Sequence, residues 1–148
     1  MPATTRRSHR PASAGLLARR VALLALFEDE FRPGHATTAL DRLAAERELP
    51  DEVREHAAAI IAGVGERRAE LDARIAAEAP LIPVAELGRV ERAILRSALY
   101  EVLYSAATPS GETMRDAVSL ARIYAGDAAR RLVNGVLGSV SRSSGGGA

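Results

Sequence analysis

The stretch from Leu87 to Tyr104, LGRVERAILRSALYEVLY, limits the possible folds more than any other part of the chain. At about 100° per residue, its apolar side chains would cover more than half of the circumference of a helix. A helix on a protein surface has a narrower apolar stripe, so we expect this helix to be central. Its remaining arc carries a basic stripe that ends in an aromatic residue: Arg89, Arg92, Arg96 and Tyr100.

Glu101 interrupts the apolar arc of this helix close to its carboxyl-terminal end. The helix dipole disfavours an anion at that end, so the carboxylate needs a donor from another part of the protein. We expect a buried or half-buried acid that pairs with an arginine of another helix. The alternative is an acid that is offered to a partner protein.

The composition favours packed helices and excludes several kinds of chemistry. The 148 residues are enough for one domain with a hydrophobic core, and 47% of them are hydrophobic while only 3% are aromatic. The chain has no cysteine, which excludes disulfides, thiolate metal sites and cysteine nucleophiles. The three histidines, His9, His35 and His56, are far apart in the sequence. We therefore expect an all-α protein with no catalytic residues, no metal site and no cofactor.

Capping and turn residues divide the rest of the chain into helices. Ser13 can cap a first helix that ends near Phe31. Further helices are predicted from Thr37 or Thr38 to Arg47, from Pro50 through Ile75 with Gly63 and Gly65 as weak points, from Pro109 to Ala125, and from Asp127 to Val140. We expect none of them to cross a membrane. The predicted organisation is a flexible basic arm over residues 1–13, one helical domain over residues 14–140, and a disordered tail over residues 141–148.

The pair Asn134-Gly135 in the last predicted helix is a sequence typical of a β-hairpin turn. The apolar runs on either side of it have only two or three residues, which is too few for a stable strand pair. We therefore predict a helix here. Gly135 then costs about 1 kcal/mol of helix propensity, unless a neighbouring helix needs the close approach that a glycine permits.

The first twenty residues have five arginines and one histidine but no acid. Three interpretations remain open from these residues: an organelle transit peptide, a solvated tail, and a basic arm that holds the phosphates of a nucleic acid. In the third interpretation, the phosphate ligands are Arg6, Arg7, Arg10, Arg19 and Arg20.

Three segments together, LGRVERAILRSALYEVLY, DAVSLARIYAGD and RRLVNGVL, resemble the NusB transcription antitermination factors. The resemblance extends from about Arg19 to Val140. It implies an all-α fold of about seven helices in two packed sub-bundles. It also implies a non-enzymatic, cytoplasmic bacterial protein that binds the single-stranded boxA element of ribosomal RNA leaders together with the ribosomal protein NusE, in the transcription elongation complex. The transit-peptide interpretation then becomes much weaker.

The resemblance also implies roles for particular residues. Arg19 matches the last arginine of a basic segment that touches RNA, although Gly15-Leu16-Leu17 replaces the basic residues that usually precede it. Leu132 replaces a usual phenylalanine, a change that would remove a stacking surface for an RNA base. Phe27 and Glu91 match an aromatic residue and an acid of the surface that faces NusE.

Two other interpretations remain for a chain with these helices. One is a stand-alone relative of the RNA-binding domain of ribosomal RNA cytosine methyltransferases, which resembles NusB but usually has VNAVL where this chain has VNGVL. That domain is normally fused to a catalytic domain, for which this chain has no room. The other is a helical interaction module or homodimer whose arginine arm only keeps the protein in solution.

Overall fold

The computed structural model of the chain describes residues 13–105 and 109–146, and within these ranges it consists of helices and no strands. The predicted basic residues Arg6, Arg7 and Arg10 lie outside the described residues. The described helices confirm the predicted all-α class with its seven helices. They are α1 (Ala14–Phe31), α2 (Ala36–Glu46), α3 (Asp51–Glu66), α4 (Arg68–Glu78), a short 3₁₀ helix (Val84–Glu86), α5 (Arg89–Tyr104), α6 (Ser110–Ala125) and α7 (Asp127–Gly146).

Helix α1 begins and ends as its capping residues predict. The Ser13 hydroxyl accepts a hydrogen bond from the Leu16 amide at 3.0 Å, which satisfies one of the free N–H groups of the first turn. After Phe31 the chain reverses through Gly34, whose φ of +89° is the left-handed conformation that favours glycine. The Asp29 carboxylate fixes this turn by accepting hydrogen bonds from the amides of Gly34 and His35.

The helices pack as two sub-bundles, which meet where α1 contacts α5. Helices α1, α2 and α3 form one sub-bundle, and α4 to α7 form the other. The predicted central helix is α5, whose Ile94, Leu95 and Leu99 side chains are buried completely or almost completely. Because α5 has neighbours in both sub-bundles, its wide apolar arc is covered from several sides, as the sequence predicted.

Helices α3 and α5 approach each other most closely at Gly63. The side chain of Tyr100 lies directly over Gly63, and a Cβ atom at this position would be closer to three ring atoms than the 3.0 Å that real Cβ atoms keep. Gly63 therefore permits the contact between the two helices. The break between α3 and α4 falls at Arg67, whose φ of −116° and ψ of 21° depart from helical values, and not at Gly63 or Gly65.

Helix α7 confirms the predicted helical conformation of Asn134-Gly135 but is longer than predicted. Asn134 and Gly135 are both exposed, and no atom of a neighbouring element lies within 4 Å of a Cβ built on Gly135. The buried side chains of Val136 and Val140 hold the helix against the core. Since each added residue costs less than starting a helix, α7 continues from Val140 through Gly146, where the sequence predicted a disordered tail.

Candidate nucleic-acid and partner interfaces

Arg19 lies at the centre of a buried ion network that joins α1 to α5 and α6. Its side chain is only 6% exposed. The guanidinium donates to both carboxylate oxygens of Glu101, from Nε at 2.8 Å and from Nη2 at 3.3 Å. It also donates to Asp116 Oδ2 at 2.7 Å, Glu112 Oε1 at 3.2 Å and Thr113 Oγ1 at 3.3 Å. The partner of Glu101 is therefore an arginine of another helix, as predicted.

These contacts use all five N–H donors of the Arg19 side chain. No donor remains for a phosphate oxygen, and three carboxyl groups surround the guanidinium. The structure thus differs from the expectation that Arg19 holds RNA phosphate. The sequence places Arg19 at the end of a basic segment. In the fold, however, acids of α5 and α6 surround its guanidinium.

His56, on α3, extends the network to a fourth helix. Its Nε2 lies 2.9 Å from Glu101 Oε2, and its side chain is half-buried. Burial alone would raise the pKa of Glu101, but hydrogen bonds from His56 and Arg19 and the charge of Arg19 hold this pKa below its ordinary value. Burial alone would lower the pKa of Arg19, but Glu101, Asp116 and Glu112 raise it above its ordinary value. Both groups are therefore held in their charged forms.

Gly15 leaves the space that this network occupies beside the first turn of α1. A Cβ atom at Gly15 would lie 2.7 Å from Glu112 Oε1 and 2.9 Å from Arg19 Nη1. Any larger side chain would have to displace the contact between Arg19 and Glu112. The glycine at this position thus fits the local packing.

The other predicted RNA-binding residues within the described ranges are only partly accessible. Arg20 is half-buried, and its Nε atom is buried without a hydrogen-bond partner among the described residues. Leu132 is half-buried and packs against the hydrophobic core. Neither residue contacts the Arg19 network through a described hydrogen bond.

The turn between α6 and α7 forms a basic surface that the sequence reasoning missed. Arg122 and Tyr124 lie in the last turn of α6, and Tyr124 is 40% exposed. Arg130 and Arg131 lie in the first turns of α7 and both donate to Asp127, Arg130 from Nε at 2.7 Å. The charges of these arginines lower the pKa of Asp127, with the hydrogen bond from Arg130 as the largest cause. We call this set of five residues the α6–α7 basic turn.

The chemistry of the α6–α7 basic turn suits a single-stranded nucleic acid. Arginine side chains bind phosphate oxygens, and an exposed aromatic ring stacks on a base. Leu132, a residue predicted at the RNA-binding site, follows Arg131 directly and therefore lies next to this turn. The sequence signal for this turn is an aromatic residue close to several arginines in IYAGDAARR, but only the structure shows that Tyr124 is exposed.

Phe27 lies towards the opposite end of α1 from Arg19 and belongs to an aromatic patch with Phe31 and Arg89. Phe27 is half-buried and packs edge to face on Phe31, with 5.1 Å between the ring centroids. Phe31 is 56% exposed, and the Arg89 guanidinium lies 4.5 Å from its ring centroid. Glu91 is in the first turn of α5, and its carboxylate folds against Gly88 at the helix amino terminus. The helix dipole favours an anion there, so Glu91 also has a structural reason for its position.

A second ion network lies beside this aromatic patch. The Glu30 side chain of α1 is 7% exposed and accepts hydrogen bonds from Arg92 and Arg96 of α5 and from Arg68 of α4. Arg96 also forms a two-bond pair with Asp72, at 2.7 and 2.9 Å. The predicted basic stripe of α5 therefore serves mainly to hold three helices together.

Two further observations concern other kinds of site. A cavity of about 420 Å³ lies between α1, α2, α3 and α5 and combines apolar side chains with Glu30, Arg68 and Arg96. Across the described ranges, no group of three or more histidine, aspartate or glutamate side chains is placed to hold a metal ion. Nor does any helix in the described part of the chain have the length and apolar character needed to cross a membrane.

The fold and these surfaces define an all-helical protein of two sub-bundles, with a basic turn at one place and an aromatic patch at another. The chain belongs to the NusB family, whose family model matches residues 17–142.

Among known relatives, the chain is similar to the transcription antitermination protein NusB of Roseiflexus castenholzii, with 37% identity over 124 residues that cover 82% of this chain and 87% of the relative. It is also similar to the protein of the same name from Symbiobacterium thermophilum, with 35% identity over 133 residues that cover 84% and 87%.

Two solved structures have the same fold. The structure of T. maritima NusB gives a TM-score of 0.80 with 25% identity and covers 90% of this chain and 93% of that one. A structure of the antitermination factors NusB and NusE in complex with dsRNA also gives 0.80, with 24% identity, and covers 88% and 97%. The residues matched by the family model extend almost to the end of α7.

Proposed function

We propose that this chain is a non-enzymatic transcription antitermination factor that acts in the bacterial cytoplasm and binds single-stranded boxA-type RNA together with NusE. The observation that carries the proposal is the α6–α7 basic turn in a member of the NusB family. A solved structural neighbour contains NusB, NusE and RNA in one complex, which supports RNA and NusE as the partners. The assembly would act on the transcription elongation complex.

In this proposal, the exposed arginines of the turn hold phosphates while Tyr124 stacks on a base. Arg122 and Arg131 are exposed, and Arg130 is half-buried. Phosphate contacts fix the register of an RNA strand but carry little sequence information, so most of the preference for boxA comes from base contacts. The arginines of the amino-terminal arm, Arg6, Arg7 and Arg10, and the half-buried Arg20 would add further phosphate contacts.

NusE would dock on the aromatic patch formed by Phe27, Phe31 and Arg89, together with Glu91 in the first turn of α5. Phe31 is an exposed aromatic side chain beside a cation, which is the composition enriched at protein interfaces. A homodimer that uses the same patch is the alternative occupant. It predicts that adding NusE leaves the RNA affinity unchanged.

Fluorescence anisotropy of a labelled boxA-type RNA and a scrambled control tests the proposal, with the full chain titrated alone and with NusE. We expect tighter binding of the boxA-type RNA when NusE is present, and an affinity that falls steeply with salt. If the protein bound both RNAs equally, or bound neither RNA, the helical interaction module without specific RNA binding would be the remaining interpretation.

Tyr124→Ala is the variant that tests the stacking contact. Loss of one stacked base costs about 1–3 kcal/mol of binding free energy. Tyr104→Ala is the matched control, because Tyr104 is 39% exposed, close to the 40% of Tyr124, but lies on α5 under the Arg67 side chain. An equal loss of affinity in the two variants would contradict the assignment of Tyr124.

A further inference from the structure

The amino-terminal end of α1 is held to the rest of the protein by the half-buried side chains of Leu16 and Leu17, which pack against the core, and by the polar contacts of Arg19. Its first four residues, 14–17, are exposed or half-buried. The first fully covered side chains along the helix are those of Ala18 and Arg19. Apolar packing at this end is therefore partial, and the polar contacts of Arg19 are the contacts that also fix its direction.

The partners of Arg19 come from parts of α5 and α6 that are themselves firmly placed. Glu101 is 2% exposed and lies in the last turn of α5. Thr113 and Asp116 are buried in the first half of α6. A planar guanidinium that pairs with both oxygens of one carboxylate and with three further residues fixes direction as well as distance.

We propose that Arg19 is a positioning residue for RNA binding, which sets the direction of the first turn of α1 and so the placement of the neighbouring Arg20, for which the proposed function expects a phosphate contact. The proposal rests on the proposed RNA-binding function. It assigns Arg19 no contact with RNA, because its five donors are already used within the protein.

The neighbouring residues support this role. Gly15 leaves room for the contact between Arg19 and Glu112, and a side chain there would push the network away from the first turn. Arg20 is the next residue along the chain but points about 100° around the helix from Arg19, and its Nε has no described partner. The two adjacent arginines therefore differ in their hydrogen bonding. Arg19 uses all five of its donors within the protein, whereas the Nε donor of Arg20 has no described partner.

The salt dependence of RNA binding separates a positioning role from a phosphate contact. Each lost phosphate contact with a single strand lowers the slope of log K against log salt by about 0.7. We expect Arg19→Gln to weaken binding of a labelled boxA-type RNA by about tenfold with an unchanged slope, since the loosened turn must be ordered again on binding. Arg131→Gln, at an exposed residue of the α6–α7 basic turn, is the control that should lower the slope. A lower slope for Arg19→Gln, or an unchanged affinity, would overturn the proposal.

Asp116→Asn gives an independent test in which the two roles predict opposite signs. If Arg19 contacted phosphate, removal of a competing acid would raise the RNA affinity. If Arg19 positions the helix, loss of the 2.7 Å ion pair loosens it and lowers the affinity. This variant keeps Arg19 and its pair with Glu101, so it also covers the case in which Arg19→Gln fails to fold.

A distance measurement tests the positioning role without RNA. The chain has no cysteine, so spin labels can be placed at Ala14→Cys on α1 and Ala77→Cys on α4, both at exposed positions. We expect a narrow distance distribution that Asp116→Asn broadens, and an unchanged distribution would refute the role. If the wild-type chain binds no RNA, the proposed function is wrong. The spin-label distance distribution then still shows whether Arg19 holds the first turn of α1 in place.

Discussion

Two glycines in α3, two residues apart, give a sharp test of how α3 and α5 are packed. Gly63 is buried, and a Cβ atom there would overlap Cδ1, Cε1 and Cζ of the Tyr100 ring. Gly65 is exposed, and no atom of a neighbouring element lies within 4 Å of a Cβ at its position. Both glycines lie in the last turn of α3, so the same substitution to alanine changes helix propensity in the same direction at the two sites but introduces a steric clash at only one.

The magnitudes follow from these two effects. Glycine to alanine in the interior of a helix gains about 1 kcal/mol of propensity. Overpacking a core contact costs about 1–3 kcal/mol, and the clash with Tyr100 is with a ring that α5 holds in place. Gly65→Ala should therefore raise the free energy of unfolding by about 1 kcal/mol. Gly63→Ala should lie below Gly65→Ala by about 1–3 kcal/mol, since the propensity gain largely cancels in this difference.

Urea unfolding of the wild type and both variants, followed by far-ultraviolet circular dichroism, measures these free energies. A third variant, Gly63→Ala with Tyr100→Ala, removes the ring and should recover most of the steric loss, although it adds the cost of a smaller side chain at position 100. If Gly63→Ala is as stable as Gly65→Ala, the close approach of α3 and α5 at this point is wrong.

Three further predictions concern the two surfaces and the Arg19 network. Asp127→Asn should raise the affinity for boxA-type RNA because it releases Arg130 and Arg131, whereas Asp41→Asn on α2 should not, and anisotropy titrations at one salt concentration compare the two. Because the folded pKa of Glu101 lies below its ordinary value, its ionisation stabilises the fold above the unfolded pKa of about 4.3, and this contribution is lost as the pH falls through the folded pKa. Urea unfolding between about pH 6 and about pH 3 should therefore show a smaller loss of stability for Glu101→Gln than for the wild type, and equal losses would be evidence against the pairing. Phe31→Ala should weaken NusE binding measured by calorimetry, while Ile123→Ala, at a residue of matching exposure on α6, should leave it unchanged.

Much of the fold could be predicted because it depends on patterns along one helix at a time. The apolar arc from Leu87 to Tyr104 is wide enough to require a central helix, and Ser13 is placed to cap the helix that follows it. The need of Glu101 for a distant donor also follows from its own helix, because the dipole and the apolar surroundings are local properties. Arg19, the donor that meets this need, could not be predicted from α5 alone.

The site was harder to predict because it depends on which residues of different helices meet. Membership of a basic segment marks Arg19 as a phosphate ligand, whereas Glu112 and Asp116 come from a helix more than ninety residues further along the chain. The role of the exposed Tyr124 was missed for a related reason. The spacing of apolar residues in α6 does not show that Arg130 and Arg131 of the next helix lie beside the same turn. The extension of α7 past Val140 was missed because glycine and serine disfavour a helix but do not end one that is already anchored.

The two ion networks lie near opposite ends of the same pair of helices, and this placement bears on how the two proposed surfaces communicate. Arg19 and Glu101 join α1 to α5 near the start of α1, while Glu30 joins Arg92 and Arg96 near its end. The aromatic patch proposed for NusE lies beside the second network, and the first network joins α1 to α6, the helix that leads into the α6–α7 basic turn proposed for RNA. Because α1 and α5 are joined by an ion network at each end, they should move as one rigid unit. A partner that binds near Glu30 could change the conformation near Arg19 only if one of the two networks were incompletely formed. Since Arg19 has every donor satisfied, we expect NusE to tighten RNA binding chiefly by adding contacts of its own, and not by reorganising α1.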